Sequence, residues 1–385
     1  MPTKTSYLPI IRLICISLFF SFNFIDREIS NVFLIATLLF CVIDYRDLVN
    51  KIRENKKIIY PIVLFFLWIL MVAFYHKSPI HELDNYTRLL LLIPLLMINF
   101  ERKYFKILIY VSALAAIGHG ILYGDVEERY IGTSSSQITY AYLIITLLVL
   151  IINNTNTIRK SPKSFIFSLV MIAGLIWVWT LTGTRGPLIT LILCLSIIFY
   201  YKKSFLLPVI VLVLTTSLIY LNNDFYQRFN TLYYSILQTT TDIEDLSYLE
   251  RKAYINYGFH TIERFPLSGI GPDNLENEMA EYFQKNSINV VSQDHLHNDY
   301  IDISAKFGIP GLILLLIIYL SLYKKIIGDN QSTSMLLLII LISSHLTQSQ
   351  FAHHQIISFL ISMIFVTLNT RSYDLQSKEK KNSLR

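Results

Sequence analysis

Three short stretches of this 385-residue chain carry residue types that could act together on an anion and a hydroxyl group. The first is Thr182-Gly-Thr-Arg-Gly-Pro187. Proline is tolerated at the first position of a helix, where its missing N–H costs nothing, so Gly186 and Pro187 fit a helix start. Arg185 then sits at the N-terminus of that helix. Unpaired helix amides beside a guanidinium make an anion site, for which a phosphate is the natural ligand. The same arginine could instead reach lipid headgroups. The second stretch, Ser247-Tyr-Leu-Glu250, is a capping-box pattern that opens an amphipathic helix running to about Phe265. It places Arg251 in the first or second turn, where a cation opposes the helix dipole. That misfit points to a bound anion, or to pairing with Asp245 or Glu250. The third stretch is Gln293-Asp-His-Leu-His-Asn-Asp-Tyr300. Imidazole is the side chain best matched to proton transfer near neutral pH, which makes His297 a candidate general base, with a structural role as the alternative. His295 and His297 share a face only on extended backbone. No third nitrogen ligand follows at a familiar spacing, so no metal site is expected.

These residues need elements to hold them, and the composition says what kind. Hydrophobic residues make up 53% of the chain and charged residues 16%, with a mean hydropathy of +0.48. A soluble domain carries about 25% charged residues, so an ordinary soluble enzyme, a disordered chain and a secreted disulfide scaffold are all excluded. The three cysteines, Cys15, Cys41 and Cys194, lie inside apolar blocks with no CxxC pair, which leaves no zinc knot or disulfide framework. The apolar blocks predict an all-α polytopic membrane protein with about twelve transmembrane helices: 7–24, 29–45, 58–75, 87–100, 104–123, 136–153, 164–182, 186–201, 204–221, 299–323, 334–350 and 354–370. With the N-terminus in the cytoplasm, 22 of the 33 Lys and Arg fall in inside segments and five in the short outside loops. Both termini are therefore expected inside, and the net charge of +6 belongs to the cytoplasmic loops rather than to a nucleic-acid surface.

The reading divides the chain into spans one to nine (1–221), a periplasmic loop domain (222–298), spans ten to twelve (299–370) and a cytoplasmic tail (371–385), disordered from Ser377. In the loop, Leu267-Ser-Gly-Ile-Gly-Pro272 is a turn, and Asp273 is placed to cap a second helix, Asn274–Lys285. Span interiors look almost free of charge, which disfavours a proton-coupled transporter. There is no Walker A motif and no dinucleotide fingerprint, and no Asp-x-Asp pair to hold a nucleotide-sugar metal. Weaker candidates on the outer side are Arg88, Arg129 before Gly132-Thr133, Arg264, His345, His353 and His354.

His297-Asn298 followed by Gly308-Ile-Pro-Gly311, the Arg185-Gly186 pair at the outer start of a span, and an arginine early in a loop helix followed by Pro266-Leu-Ser-Gly-Ile-Gly-Pro272 together resemble the signature of the O-antigen ligase family. That superfamily also holds O-antigen polymerases and pilin-glycosylating oligosaccharyltransferases, which usually carry an extra C-terminal soluble part. The resemblance implies a glycosyltransferase of lipopolysaccharide biosynthesis in a Gram-negative inner membrane, with its active site on the periplasmic face. The donor would be a glycan on undecaprenyl pyrophosphate and the acceptor a hydroxyl of lipid A core, with neither metal nor ATP and no other cofactor. His297 would be the general base, while Arg185 and Arg251 would stabilise the pyrophosphate. Arg88, Arg129, Gly186, His295, Asn298 and Tyr300 would contact substrate or orient the site. A repeat-unit polymerase is the alternative within the superfamily, and a glycolipid transporter without chemistry the alternative outside it. The charge bias gives a direct test of orientation. Single cysteines placed at Lys203 and at Lys285 should react with a membrane-impermeant maleimide only from the cytoplasmic and only from the periplasmic side, respectively.

Overall fold

The computed structural model describes residues 7–124, 130–155, 161–203, 205–237, 245–329 and 331–382. Its helices are α1 Leu8–Phe22, α2 Arg27–Ile43, α3 Tyr45–Glu54, α4 Lys56–His76, α5 Asp84–Leu91, α6 Arg102–Tyr123, α7 Gln137–Asn154 and α8 Pro162–Leu181. They are followed by α9 Pro187–Lys202, α10 Leu206–Leu221, α11 Asn223–Leu237, α12 Leu246–Arg264, α13 Leu275–Lys285, α14 Asp299–Gly328, α15 Ser332–Thr347 and α16 His354–Asn382. No strand occurs among the described residues. By length and composition α4, α6, α7, α8 and α14 can each cross a membrane. The pair α10–α11, bent by 95°, makes a sixth candidate. Helices α1, α9, α15 and the first part of α16 are apolar but shorter. Ile10, Ile35, Phe74, Ile121, Val170 and Leu221 are each more than half exposed. So many large apolar side chains facing outward suit lipid rather than water, and the chain is a multi-pass membrane protein.

Helix α7 runs through the middle of the bundle, and every residue from Thr139 to Ile152 is buried. Around it α14 packs on α4, and α15 packs on α9 and α16. A second, smaller core of Tyr254, Tyr257, Ile270, Leu275, Met279, Phe283 and Leu296 lies in the 245–298 region, and α12 seats it against α14.

Helices occupy eleven of the twelve stretches expected to be spans. The exception is 87–100, where α5 stops at Leu91 and a 3-10 turn follows over Ile93–Met97. Pro94 is the cause, because it has no N–H to bond the carbonyl four residues back and its ring crowds that turn. The irregular backbone is tolerated because Leu95, Leu96, Ile98 and Phe100 are buried in protein. Other differences are local. Helix α12 is capped by Asp245, which accepts from the Tyr248 amide at 3.0 Å, and not by Ser247. Asp273 does not cap α13 but bonds the Ser78 hydroxyl. Helices α3 and α11 were not anticipated. The tail, expected to be disordered, continues as helical backbone to Asn382; its Lys, Glu and Gln are good helix formers.

The architecture turns on a break in α14. Gly308 adopts φ 74°, and Pro310 supplies no amide, so the carbonyls of residues 305–307 lose their helical partners. The turn 266–272 replaces them. The amides of Ile270 and Gly271 donate to the carbonyls of Ala305 and Lys306, both at 3.0 Å, and Ile309 donates back to Pro266 at 2.8 Å. The Trp68 indole on α4 donates to the Phe307 carbonyl at 2.8 Å. Within the same helix Lys306 pairs with buried Asp302 at 3.1 Å, so the span interior is less free of charge than expected. A Cβ on Gly308 would lie 2.1 Å from the Leu267 carbonyl oxygen, whereas one on Gly118 meets nothing within 4 Å. Gly308→Ala should therefore destabilise the protein by about 2 kcal/mol or more. Gly118→Ala, within α6, should be neutral or stabilising by up to about 1 kcal/mol. Thermal unfolding of the two variants in detergent provides the comparison.

Candidate active site

At the end of the bundle that carries residues 245–298, a cleft of ≈ 310 Å³ is lined by Arg185, Gly186, Arg228, Arg251, His295 and His297, with Ser136, Ser247, Gln293, Gln348 and His353 among its other walls. The residues singled out from three separate stretches of sequence thus share one cavity. Three helices begin at it, since Ser136 caps α7, Gly186 precedes α9 and Ser247 lies in the first turn of α12. The dipoles of these helix starts add partial positive charge to that of the guanidiniums.

Asp245 joins the basic elements. One of its oxygens caps α12, and the other takes Arg185 Nη1 at 2.5 Å, both side chains being nearly buried. Arg185 also donates to the Arg228 carbonyl on α11. Burial pushes the Asp245 carboxyl up, but the hydrogen bond and charge of Arg185 more than offset this and hold it below the ordinary carboxylate value. Arg251 pairs with neither Asp245 nor Glu250 among the described residues. Burial, and then repulsion from Arg185, lower its pKa; burial and Arg185 do the same to Arg228. Arg185, Arg228 and Arg251, set against Asp245 and the cleft-lining Glu250, leave an excess of positive charge in a partly desolvated cavity, a site that favours an anion.

His297 stands at the other wall in a left-handed conformation, φ 53°. Its Nδ1 lies 2.5 Å from Gln348 Oε1 and its Nε2 lies 3.0 Å from Gln293 Oε1. The ring packs against Tyr254 and His295. Burial, and then the charges of His295 and Arg251, bring its pKa down to about 4, with the Gln348 bond opposing the fall. At neutral pH the ring is uncharged and can accept a proton. Two buried carboxylates hold its surroundings. Asp302 accepts from the Leu296 amide at 3.0 Å. Asp299 accepts from His345 and from the Gln350 amide, which fixes the turn bearing Gln348 and His353.

Several expected contacts lie elsewhere. Arg88 bonds Asp84 and Ser358. Tyr300 gives its hydroxyl to the Ile342 carbonyl. Asn298 caps α14, accepting from Tyr300 and Ile301, and donates to the Leu346 carbonyl. Arg129 lies outside the described residues. Conversely, Arg228 and Gln348 were missed, and Gln293, which heads the third stretch, was given no role. Arg228 belongs to no motif. Gln348 had a faint signal, as Thr347-Gln-Ser-Gln350 is a polar run inside an apolar stretch. Among the described residues no group of three or more His, Cys, Asp or Glu is placed to hold a metal ion.

Residues 167–316 match the family model described as O-antigen ligase. This stretch, over which the chain is similar to that family, contains Arg185, Arg228, Arg251 and His297 together with the break in α14. The chain is also 27% identical over 348 residues to an uncharacterized protein of Haemophilus influenzae, the alignment covering 78% of this chain and 82% of that one.

Because the folded-state pKa of His297 is depressed, the linked stability is present above about pH 6.5, its ordinary value, and is lost as pH falls through about 4. An NMR titration of His297, assigned against His297→Gln, should show no protonation between pH 8 and 5 and a midpoint near 4; a midpoint at the ordinary value would mean that the ring is solvated.

Proposed function

We propose that the protein is an O-antigen ligase. It moves a glycan from undecaprenyl pyrophosphate to a sugar hydroxyl of lipid A core, at the periplasmic face of a Gram-negative inner membrane. The observation that carries the reading is the convergence of Arg185, Arg228, Arg251 and His297 on one cleft, within the stretch that matches the family. In the proposed reaction the acceptor hydroxyl oxygen attacks the anomeric carbon of the donor's first sugar. The bond from that carbon to the pyrophosphate oxygen breaks, and its electron pair leaves with the pyrophosphate. The acceptor proton passes to His297, whose ring is neutral and can receive it. Attack opposite the leaving group inverts the anomeric centre. Charge building on the departing pyrophosphate is met by the guanidiniums and the three helix N-termini, preorganised before the reaction begins. Arg251 has no ion pair among the described residues and is available for this role, whereas Arg185 is already committed in part to Asp245.

The exposed apolar belt supports a substrate held by a prenyl tail in the bilayer, with its headgroup at the cleft. Twelve spans, with 222–298 outside, remain the topology this reading adopts. A repeat-unit polymerase would use the same donor and differ in its acceptor.

The test uses purified full-length protein in liposomes with lipid-linked O-antigen and lipid A core. Wild type should attach glycan to the core. His297→Gln should lower the rate about 10²–10⁴-fold, and Arg251→Gln about 10²–10³-fold. Elongation of the donor without transfer to core would replace the ligase by the polymerase, and wild-type rates in His297→Gln would refute the base.

A further inference from the structure

A proton acceptor must present a lone pair to the cleft, and a neutral imidazole has one on only one of its two nitrogens. What selects that nitrogen is the partner of the other. Both glutamines line the cleft, but Nδ1 of His297 meets Gln348, which is 1% exposed, while Nε2 meets Gln293, which is only half-buried and so lies on the more open side. The Gln348 amide bridges two rings, its Oε1 lying 2.5 Å from His297 Nδ1 and its Nε2 lying 2.7 Å from His353 Nε2. His353 in turn reaches the Ser135 hydroxyl at 3.4 Å through its Nδ1.

We infer that Gln348 is a positioning residue that sets the tautomer of His297, accepting from Nδ1–H while its amide is held by His353, so that Nε2 faces the cleft as the free base. The role assigned to the tautomer rests on the function proposed above. In the opposite orientation the Gln348 amide would donate to Nδ1. His297 would then carry its proton on Nε2, donating to the Gln293 Oε1, and would present a donor where the reaction needs an acceptor. The link to His353 selects against that orientation, because turning the amide over brings Gln348 Oε1 against the lone pair of His353 Nε2 unless His353 also changes its protonation. With the proton on Nδ1, the bare Nε2 cannot bond the Gln293 Oε1 that lies 3.0 Å away; the half-buried Gln293 amide, unlike that of Gln348, has no second partner among the described residues and turns to offer its NH₂, and an arriving hydroxyl takes that place as the donor to Nε2. The turn geometry serves the same end, since Asp299 anchors the Gln350 and Phe351 amides and thereby fixes both Gln348 and His353.

The tautomer can be read without substrate. Full-length protein with ¹⁵N,¹³C-histidine, in lipid bilayers near pH 7, gives ring-nitrogen spectra in which His297 is assigned by its loss in His297→Gln. The expected result is Nδ1–H in wild type. In Gln348→Met, which keeps the volume but removes the acceptor, the Nε2–H form should become populated, with transfer kcat reduced at least about tenfold and donor KM unchanged. His353→Leu should loosen the same link from the far side and mix the tautomers even if Gln348→Met fails to fold. Gln348→Glu, which restores an acceptor, should restore Nδ1–H and most of the rate. Nε2–H in wild type overturns the inference, as does an unchanged tautomer in both folded variants or an unchanged kcat once the tautomer is lost. A wild-type protein inactive in transfer but holding Nδ1–H would count against the proposed reaction while leaving the control of the tautomer by Gln348 standing.

Discussion

The structure depends on how a broken helix is repaired in an apolar setting. An unpaired backbone carbonyl in such surroundings costs several kcal/mol, so the break at Gly308–Pro310 must be matched by donors from elsewhere. Two come from the turn before α13 and a third from the Trp68 indole on α4. This requirement explains both glycine-rich motifs at once. Gly269 and Gly308 have positive φ, and the backbones around them approach too closely for a Cβ at either position. The repair also locks the turn that ends the α12 region to α14. The stretch bearing His297 leads directly into that helix, and the start of α12, bearing Arg251, lies at the same cleft.

A second constraint works at the start of α12. Asp245 caps that helix and neutralises part of Arg185 in the same gesture. The cap fixes where Arg251 emerges, one turn and a half farther along. The ion pair fixes the hairpin between α8 and α9, itself tightened by Thr182 and by the Trp179 indole, which donates to the Thr184 carbonyl at 2.9 Å. A cleft containing only arginines would repel itself. One buried carboxylate, paired with Arg185, offsets part of that repulsion, and Arg251 has no ion pair among the described residues.

The acid–base side is built differently, through neutral groups. His297 is surrounded by amides, aromatic rings and other imidazoles, and its ring is kept uncharged by burial. The charged groups that support it, Asp299 and Asp302, do not touch the ring but hold backbone amides of the adjoining turns. Separating the cationic wall from the proton-accepting wall allows one cavity to favour an anion and a lone pair together.

Much of this could be read along the chain. Apolar blocks show where helices run because a bilayer demands about 20 consecutive apolar residues, and the motifs around Arg185, Arg251 and His297 identify themselves by residue type and spacing. Pro94 shows why one such block is not a continuous helix, although apolarity alone cannot report a break that buried neighbours tolerate. Tertiary structure decided the rest. Arg228 and Gln348 stand in no motif and enter the cleft only because α11 turns sharply from α10 and because a polar turn separates α15 from α16. Arg88 and Tyr300 find their partners in Asp84 and the Ile342 carbonyl, and Asn298, expected to contact substrate or orient the site, caps α14 beside His297. Sequence determines which groups can ionise or donate; only the fold determines which partner each one finds, because that depends on distances between segments far apart in the chain.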